Sequence, residues 1–178
     1  DRPSWVPNSS LFSNRSCNPK QIPNKDLPEE TKLRMANWLP PSHPWVKNIM
    51  IPWINNVKEA TKDRVIIEIL NAPLGPPHAH FDFALKGIAD ITYGVHNYTA
   101  GRFISTQLAE LPFLSNSSEI LSVAWQRVYE RELLNLEEHK GTHLLGIFTH
   151  GPGQLWFNKK YDSLKSIQGL KVRIGGGV

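Results

Sequence analysis

Arg173 and the histidines carry most of the chemistry this sequence offers. Arg173 stands in an apolar run, Lys171-Val172-Arg173-Ile174, beside glycines. A guanidinium cannot shed its charge, and its planar fork matches a carboxylate with two parallel hydrogen bonds. Arg173 is therefore a candidate anchor for an organic acid. A structural ion pair or a surface strand position would also account for it. His96 and His150 each follow a segment that reads as a strand, where a ring nitrogen can meet a ligand or simply bond a backbone group. Tyr93 and Tyr98 bracket His96 and Asn97. Such an aromatic, hydrogen-bonding loop suits a ligand with a polar head and an apolar body. Trp38 lies at a strand end beside three prolines, where it either floors a pocket or packs the loop.

Enzyme readings rest on the histidines alone. His78, His80 and Asp82 invite a metal site. On a helix, His78 and Asp82 share a face at i, i+4 while His80 points away, so the three do not converge. His43 reads as a helix-start residue, and His139 and His143 flank a turn at the surface. There is no phosphate loop, no G-x-G-x-x-G after a strand and no G-x-S-x-G elbow. Cys17 lies among prolines and is a poor nucleophile. Gly175-Gly176-Gly177 has no helix after it to use it.

These residues need elements to hold them. Residues 1–30 contain Pro3, Pro7, Pro19, Pro23 and Pro28 and no apolar period, so they read as a leader or linker without packing. Residues 32–38 alternate as a strand. Val46, Ile49, Met50, Trp53, Ile54 and Val57 recur at helical spacing, with a kink expected at Pro52. Residues 64–70 form a β-branched run typical of a buried strand. A helix over 78–87 ends at Gly87, and 89–95 reads as a third strand. Residues 118–138 make a long amphipathic helix. Further strands are expected at 143–148, 154–158 and 169–174. Strands alternating with helices argue for a mostly parallel sheet covered by helices. In such sheets ligands sit beyond the carboxyl ends of strands. That rule selects Trp38, residues 95–98, residues 148–150 and Arg173.

Composition bounds the rest. The chain has 178 residues, 40% hydrophobic and 20% charged, which is globular usage. One cysteine excludes an intrachain disulfide and a thiolate zinc cage. Twenty basic against 16 acidic residues give +4, scattered along the chain, which argues against nucleic-acid binding. No run of about 18 apolar residues exists to span a membrane. The four Asn-x-Ser/Thr triplets are at the level expected by chance in an Asn/Ser-rich chain.

Several blocks resemble a known family. Leu85-Lys86-Gly87-Ile88-Ala89-Asp90-Ile91-Thr92-Tyr93, Tyr98-Thr99-Ala100-Gly101-Arg102-Phe103 and Glu110-Leu111-Pro112-Phe113-Leu114 occur in the order and spacing of the solute-binding receptors of tripartite ATP-independent periplasmic (TRAP) transporters. Leu164 to Arg173, ending Gly169-Leu170-Lys171-Val172-Arg173, is similar to a further block of that family. The resemblance covers residues 31–178.

It implies an α/β fold of the type II periplasmic-binding-protein kind, with residues 31–170 as a first lobe. Residues 171–178 would begin the crossover into a second lobe that this chain does not contain. It implies a periplasmic receptor, with its signal peptide outside the given chain, that performs no catalysis and needs no cofactor. Such a receptor binds organic acids, dicarboxylates among them, and hands them to a TRAP membrane permease. Arg173 matches the arginine that pairs with the ligand's carboxylate. Asn37, Trp38, Tyr93, His96, Tyr98, Phe148 and His150 match or adjoin the family's pocket. Val95 and Tyr98 stand where sialic-acid-type members carry charged residues, which points toward a less hydroxylated, aromatic or branched acid. The rival readings are a histidine-dependent metalloenzyme and a solute-sensing domain of the same fold.

Overall fold

The computed structural model describes residues 30–173. The proline-rich leader before Glu30, Cys17 within it, and residues 174–178 of the expected crossover lie outside the described residues.

Strand β1 (Thr31–Met35) pairs in parallel with β2 (Val65–Ile69), Thr31 opposite Val65 and Met35 opposite Ile69. The crossover between them is helical. His43 starts it, as the sequence suggests: its carbonyl accepts the Lys47 N–H at 3.1 Å and its Nδ1 accepts the Trp45 N–H at 3.1 Å. A π-helical turn (Val46–Met50) runs into α1 (Ile51–Ala60), and Pro52 falls in the first turn of α1. The irregularity expected at Pro52 takes the form of this widened turn, which directly precedes the residue that lacks a donor. Thr61 then joins helix to strand: its hydroxyl donates to the Val57 carbonyl at 2.8 Å and accepts the Val65 N–H at 3.1 Å.

The apolar stripe is core only in part, since Ile49 and Trp53 face outward. Met35, Val46, Met50 and Ile67 are buried, and Ile54 and Val57 of α1 pack on them. Helix α2 (His80–Leu85) follows a short 3-10 turn, and Gly87 past its end takes φ +66°. That left-handed value is what a helix-ending glycine supplies without a Cβ clash. Helix α3 (Ser118–Val128) opens on the Ser117 hydroxyl, which accepts the Ile120 N–H. It continues through a π turn and a 3-10 turn to Leu136 and ends at Glu137, φ +56°. The expected 118–138 helix is thus present in three gradations. A second buried cluster joins Trp125 and Tyr129 to Ile147.

The sheet is smaller than the sequence suggests. The third strand reduces to one parallel bridge, Met35 to Ile91. Its cause is chemical: the Asp90 carboxylate takes the Arg34 N–H at 2.8 Å and the Arg34 Nε at 3.2 Å, at the edge where a ladder would continue. The expected strand at 143–148 is not one. α3 captures that segment: the Ile147 N–H donates to Gln126 Oε1 at 2.7 Å, and the Thr149 N–H donates to Ser122 Oγ at 2.9 Å. Residues 154–158 and 169–173 also form no strand, and among the described residues nothing pairs with them in a ladder. No described helix is long and apolar enough to cross a membrane.

Met50 and Ile49 are neighbours in one turn with opposite environments, 3% and 47% exposed. Met50→Ala should lower unfolding stability by about 2–5 kcal/mol, while Ile49→Ala should stay within about 0.5 kcal/mol. Urea midpoints with unchanged m-values would show this; equal losses would contradict the packing described.

Candidate functional site

A cavity of about 510 Å³ opens between the 90–96 segment and residues 141–148. Phe81 of α2 and Phe103 line it side by side, in edge-to-face contact at 5.2 Å. Tyr93, His96 and Phe148 also line it, three of the eight residues selected from sequence. Its walls are chiefly aromatic and aliphatic, with histidine, threonine, tyrosine and Asp90, whose carboxylate Arg34 engages, as the polar groups.

Asn37 and Trp38 lie behind that wall. Asn37 is buried and bonded on both sides of its amide. Nδ2 donates to the Leu39 carbonyl at 2.8 Å, and Oδ1 accepts the Leu39 N–H at 2.9 Å and the Tyr93 hydroxyl at 2.7 Å. Burial pushes the Tyr93 phenol well above its usual range, so it is a hydrogen-bond donor at any ordinary pH. Trp38 stacks on Tyr93 at 4.0 Å and meets the edge of His80 at 4.6 Å. Both residues therefore hold Tyr93, and neither lines the cavity. Tyr98 is half-buried in the 3-10 turn His96–Tyr98. His150 is exposed and donates from Nδ1 to the Gly151 carbonyl at 2.7 Å. Arg173 is exposed at the end of the described chain.

His139 departs from its expected surface place. It is half-buried, and its Nε2 lies 3.0 Å from His96 Nε2. Its Nδ1 lies 2.6 Å from the hydroxyl of Tyr129. His96 stacks on Phe103 at 4.3 Å. Burial, and secondarily the neighbouring His139, push His96 down to about 4. Burial also lowers His139, with Glu138 opposing. Phe81, Phe103 and His139 were not singled out by sequence reasoning. They reach the cavity from separate segments, and no local spacing marks that convergence.

The His78, His80, Asp82 set does not converge. His78 is exposed, and Asp82 is engaged by Arg102 at 3.2 Å. His80 is fully buried, with neither ring nitrogen in hydrogen-bonding geometry. Burial lowers its pKa, while the nearby Gly75 backbone partly opposes this. Among the described residues no group of three or more His, Cys, Asp or Glu side chains is placed to hold a metal ion.

A parallel α/β fold with an aromatic-walled cavity suits the binding of a small ligand. The model of the family described as bacterial extracellular solute-binding protein, family 7, matches residues 35–176. The chain belongs to that family, whose members are solute-binding receptors and not enzymes, and its fold is of the type II periplasmic-binding kind. A TRAP periplasmic solute-binding protein from Bordetella bronchiseptica, solved with bound (R)- and (S)-mandelate, is 39% identical with a TM-score of 0.77. The match covers 83% of this chain and 47% of that one. A TRAP solute-binding protein from Rhodoferax ferrireducens, in complex with copurified benzoate, is 29% identical with a TM-score of 0.62, covering 68% and 38%. A marine metagenome TRAP protein in complex with 3-hydroxybenzoate is 27% identical with a TM-score of 0.63, covering 70% and 39%. The outer membrane transporter protein TsaT of Comamonas testosteroni is 27% identical over 171 residues, which are 94% of this chain and 51% of that protein. The chain spans about half the length of these relatives.

His80, His96 and His139 all titrate below their ordinary value in the folded protein, with His96 at about 4. Unfolded, each takes up a proton near pH 6.5. Unfolding therefore binds protons below that point, and stability falls as pH drops from about 6.5 toward 4. His96 alone should account for on the order of 3 kcal/mol of this loss. Thermal melts across that range should show the decline, and His96→Gln should flatten it. A flat wild-type profile would contradict the burial described.

Proposed function

We propose that the complete protein is a periplasmic receptor that captures an aromatic monocarboxylic acid and delivers it to a TRAP-type membrane permease. The observation that carries the reading is the cavity of about 510 Å³ walled by Phe81, Tyr93, Phe103 and Phe148. A flat ring gains both area burial and edge-to-face or stacked contact in such a site. The bound mandelate, benzoate and 3-hydroxybenzoate of the three solved relatives support the same ligand class.

In this reading Tyr93 and Phe148 face the ring, and His96 supplies a polar contact. Asn37 and Trp38 fix Tyr93, while Tyr98 and His150 shape the neighbouring loops. Arg173 lies outside the cavity's lining. Its part is to clamp the carboxylate when the complete protein closes on its ligand, which requires the acid to bind the closed state better than the open one. A guanidinium–carboxylate pair is well suited to that step, since each charged hydrogen bond is worth about 1.5–3 kcal/mol.

In the full-length protein, benzoate and (R)-mandelate should raise the melting temperature, and succinate should not. Arg173→Ala should weaken benzoate binding about tenfold to a hundredfold. A larger shift with succinate would overturn the ligand class. Unchanged benzoate affinity in Arg173→Ala would remove the clamp and leave the class standing.

A further inference from the structure

His96, His139 and Tyr129 form one hydrogen-bonded chain that ends at the cavity. Tyr129 is 1% exposed, and its hydroxyl lies 2.6 Å from His139 Nδ1. His139 Nε2 lies 3.0 Å from His96 Nε2, and both rings line the cavity. A neutral imidazole donates from one nitrogen and accepts at the other. The chain therefore has two forms. In one, Tyr129 donates to His139, His139 donates to His96, and His96 carries its proton on Nδ1. In the other, His96 Nε2–H donates to His139, His139 Nδ1–H donates to the Tyr129 oxygen, Tyr129 keeps its own proton turned away from His139, and His96 Nδ1 is bare. His96 Nδ1 is the free end in both forms, because no described protein group hydrogen-bonds it.

The surroundings hold this chain neutral while leaving a proton within reach. Phe103 covers His96 at 4.3 Å and lies 4.9 Å from His139. Phe81 meets His139 edge-on, and the Arg102 guanidinium, paired with Asp82, lies 4.4 Å over the Phe81 ring. Glu138 is the charge that acts on both histidines, and its two oxygens accept the Ser105 N–H and hydroxyl, each at 2.7 Å. Of the other ionisable groups nearby, Glu110 accepts from Asn97, while Asp90, held by Arg34, and His143 both line the same cavity.

We infer that the His96–His139 pair is a proton acceptor coupled to anion capture. When a carboxylate enters the cavity beside His96, the pair takes one proton from solvent. His96 then holds both N–H groups, giving Nδ1–H to the carboxylate and Nε2–H to His139, which passes its own Nδ1–H to the Tyr129 oxygen. No other bond is made or broken. This rests on the reading of the cavity as a carboxylate site. The free pair stays neutral because burial and the second ring oppose a charge there, and an incoming anion removes that opposition. The ligand class is correspondingly narrowed to acids whose carboxylate reaches His96 while the ring stays among the phenylalanines.

The test is calorimetric titration of the full-length protein with benzoate near pH 6, about where free histidine titrates, in two buffers of different ionisation enthalpy. The heats should differ by an amount approaching one proton taken up per benzoate. The dissociation constant should tighten toward about tenfold per pH unit as pH falls from about 7 to 5. His96→Gln, which keeps a polar contact without a titrating group, should bind benzoate with no buffer dependence. Binding with equal heats in both buffers would overturn the inference and leave the carboxylate site intact. Absence of benzoate binding in either buffer would overturn both. Should His96→Gln fail to fold, His143→Gln, which leaves the His96–His139 pair in place, should keep the buffer dependence, and its loss there would overturn the inference.

Discussion

The bond from the Tyr93 hydroxyl to Asn37 Oδ1 fixes the wall on which the site depends. It is 2.7 Å long and joins residues 56 apart in sequence. Asn37 is itself immobilised by two bonds to the Leu39 backbone, so the end of β1 turns out of the sheet with a rigid amide pointing at Tyr93. A half-buried phenol left without a partner would carry a desolvation cost of about 1–3 kcal/mol, so the bond is enforced and not optional. Trp38 then closes on the Tyr93 face, and His80 meets Trp38 in an edge-to-face pair. The cavity therefore inherits its geometry from the sheet through one polar contact and a stack of rings.

The same competition for backbone partners explains why the sheet stays narrow. A side-chain carboxylate at Asp90 occupies the Arg34 N–H that a third strand would use. Ser122 and Gln126, one turn apart on α3, take the amides of Thr149 and Ile147. An amide can donate once, so each of these bonds is a ladder bond forgone. The gain is placement. Residues 141–148 are held against α3 on one side and leave the cavity open on the other, with Phe148 stacked on Trp45 at 5.2 Å.

Local signals in the sequence were sufficient for local elements. β1, β2, the stripe of α1, the glycine after α2 and the start of α3 each announce themselves within a few residues, because propensity, apolar period and capping are short-range properties. The strands expected at 143–148 and 154–158, and the described part, 169–173, of the one at 169–174, failed for the opposite reason. An apolar run gives a segment the capacity to be a strand, but a strand exists only where a neighbour supplies its bonds. The site divides the same way. Topology and family resemblance led to Tyr93, His96 and Phe148, which line the cavity. His139 read as a surface turn residue, because nothing near position 139 reveals that position 96 will meet it.

The histidine pair and the aromatic wall belong to one physical problem. An apolar cavity binds a ring well and a carboxylate badly, since moving an anion out of water costs several kcal/mol unless it is paired. A permanently charged partner inside the lobe would meet the same cost in the absence of ligand. In the inferred coupling a neutral imidazole pair avoids it, because near neutral pH its charge would appear only with an anion there to share it. Arg173, exposed and outside the lining, would in the proposed receptor avoid it differently, by keeping its charge in water until the site is occupied. In the proposed receptor the two arrangements would divide the carboxylate's desolvation between a group that acquires charge on demand and a group that brings charge in from solvent. Such a division would allow the walls between them to remain aromatic.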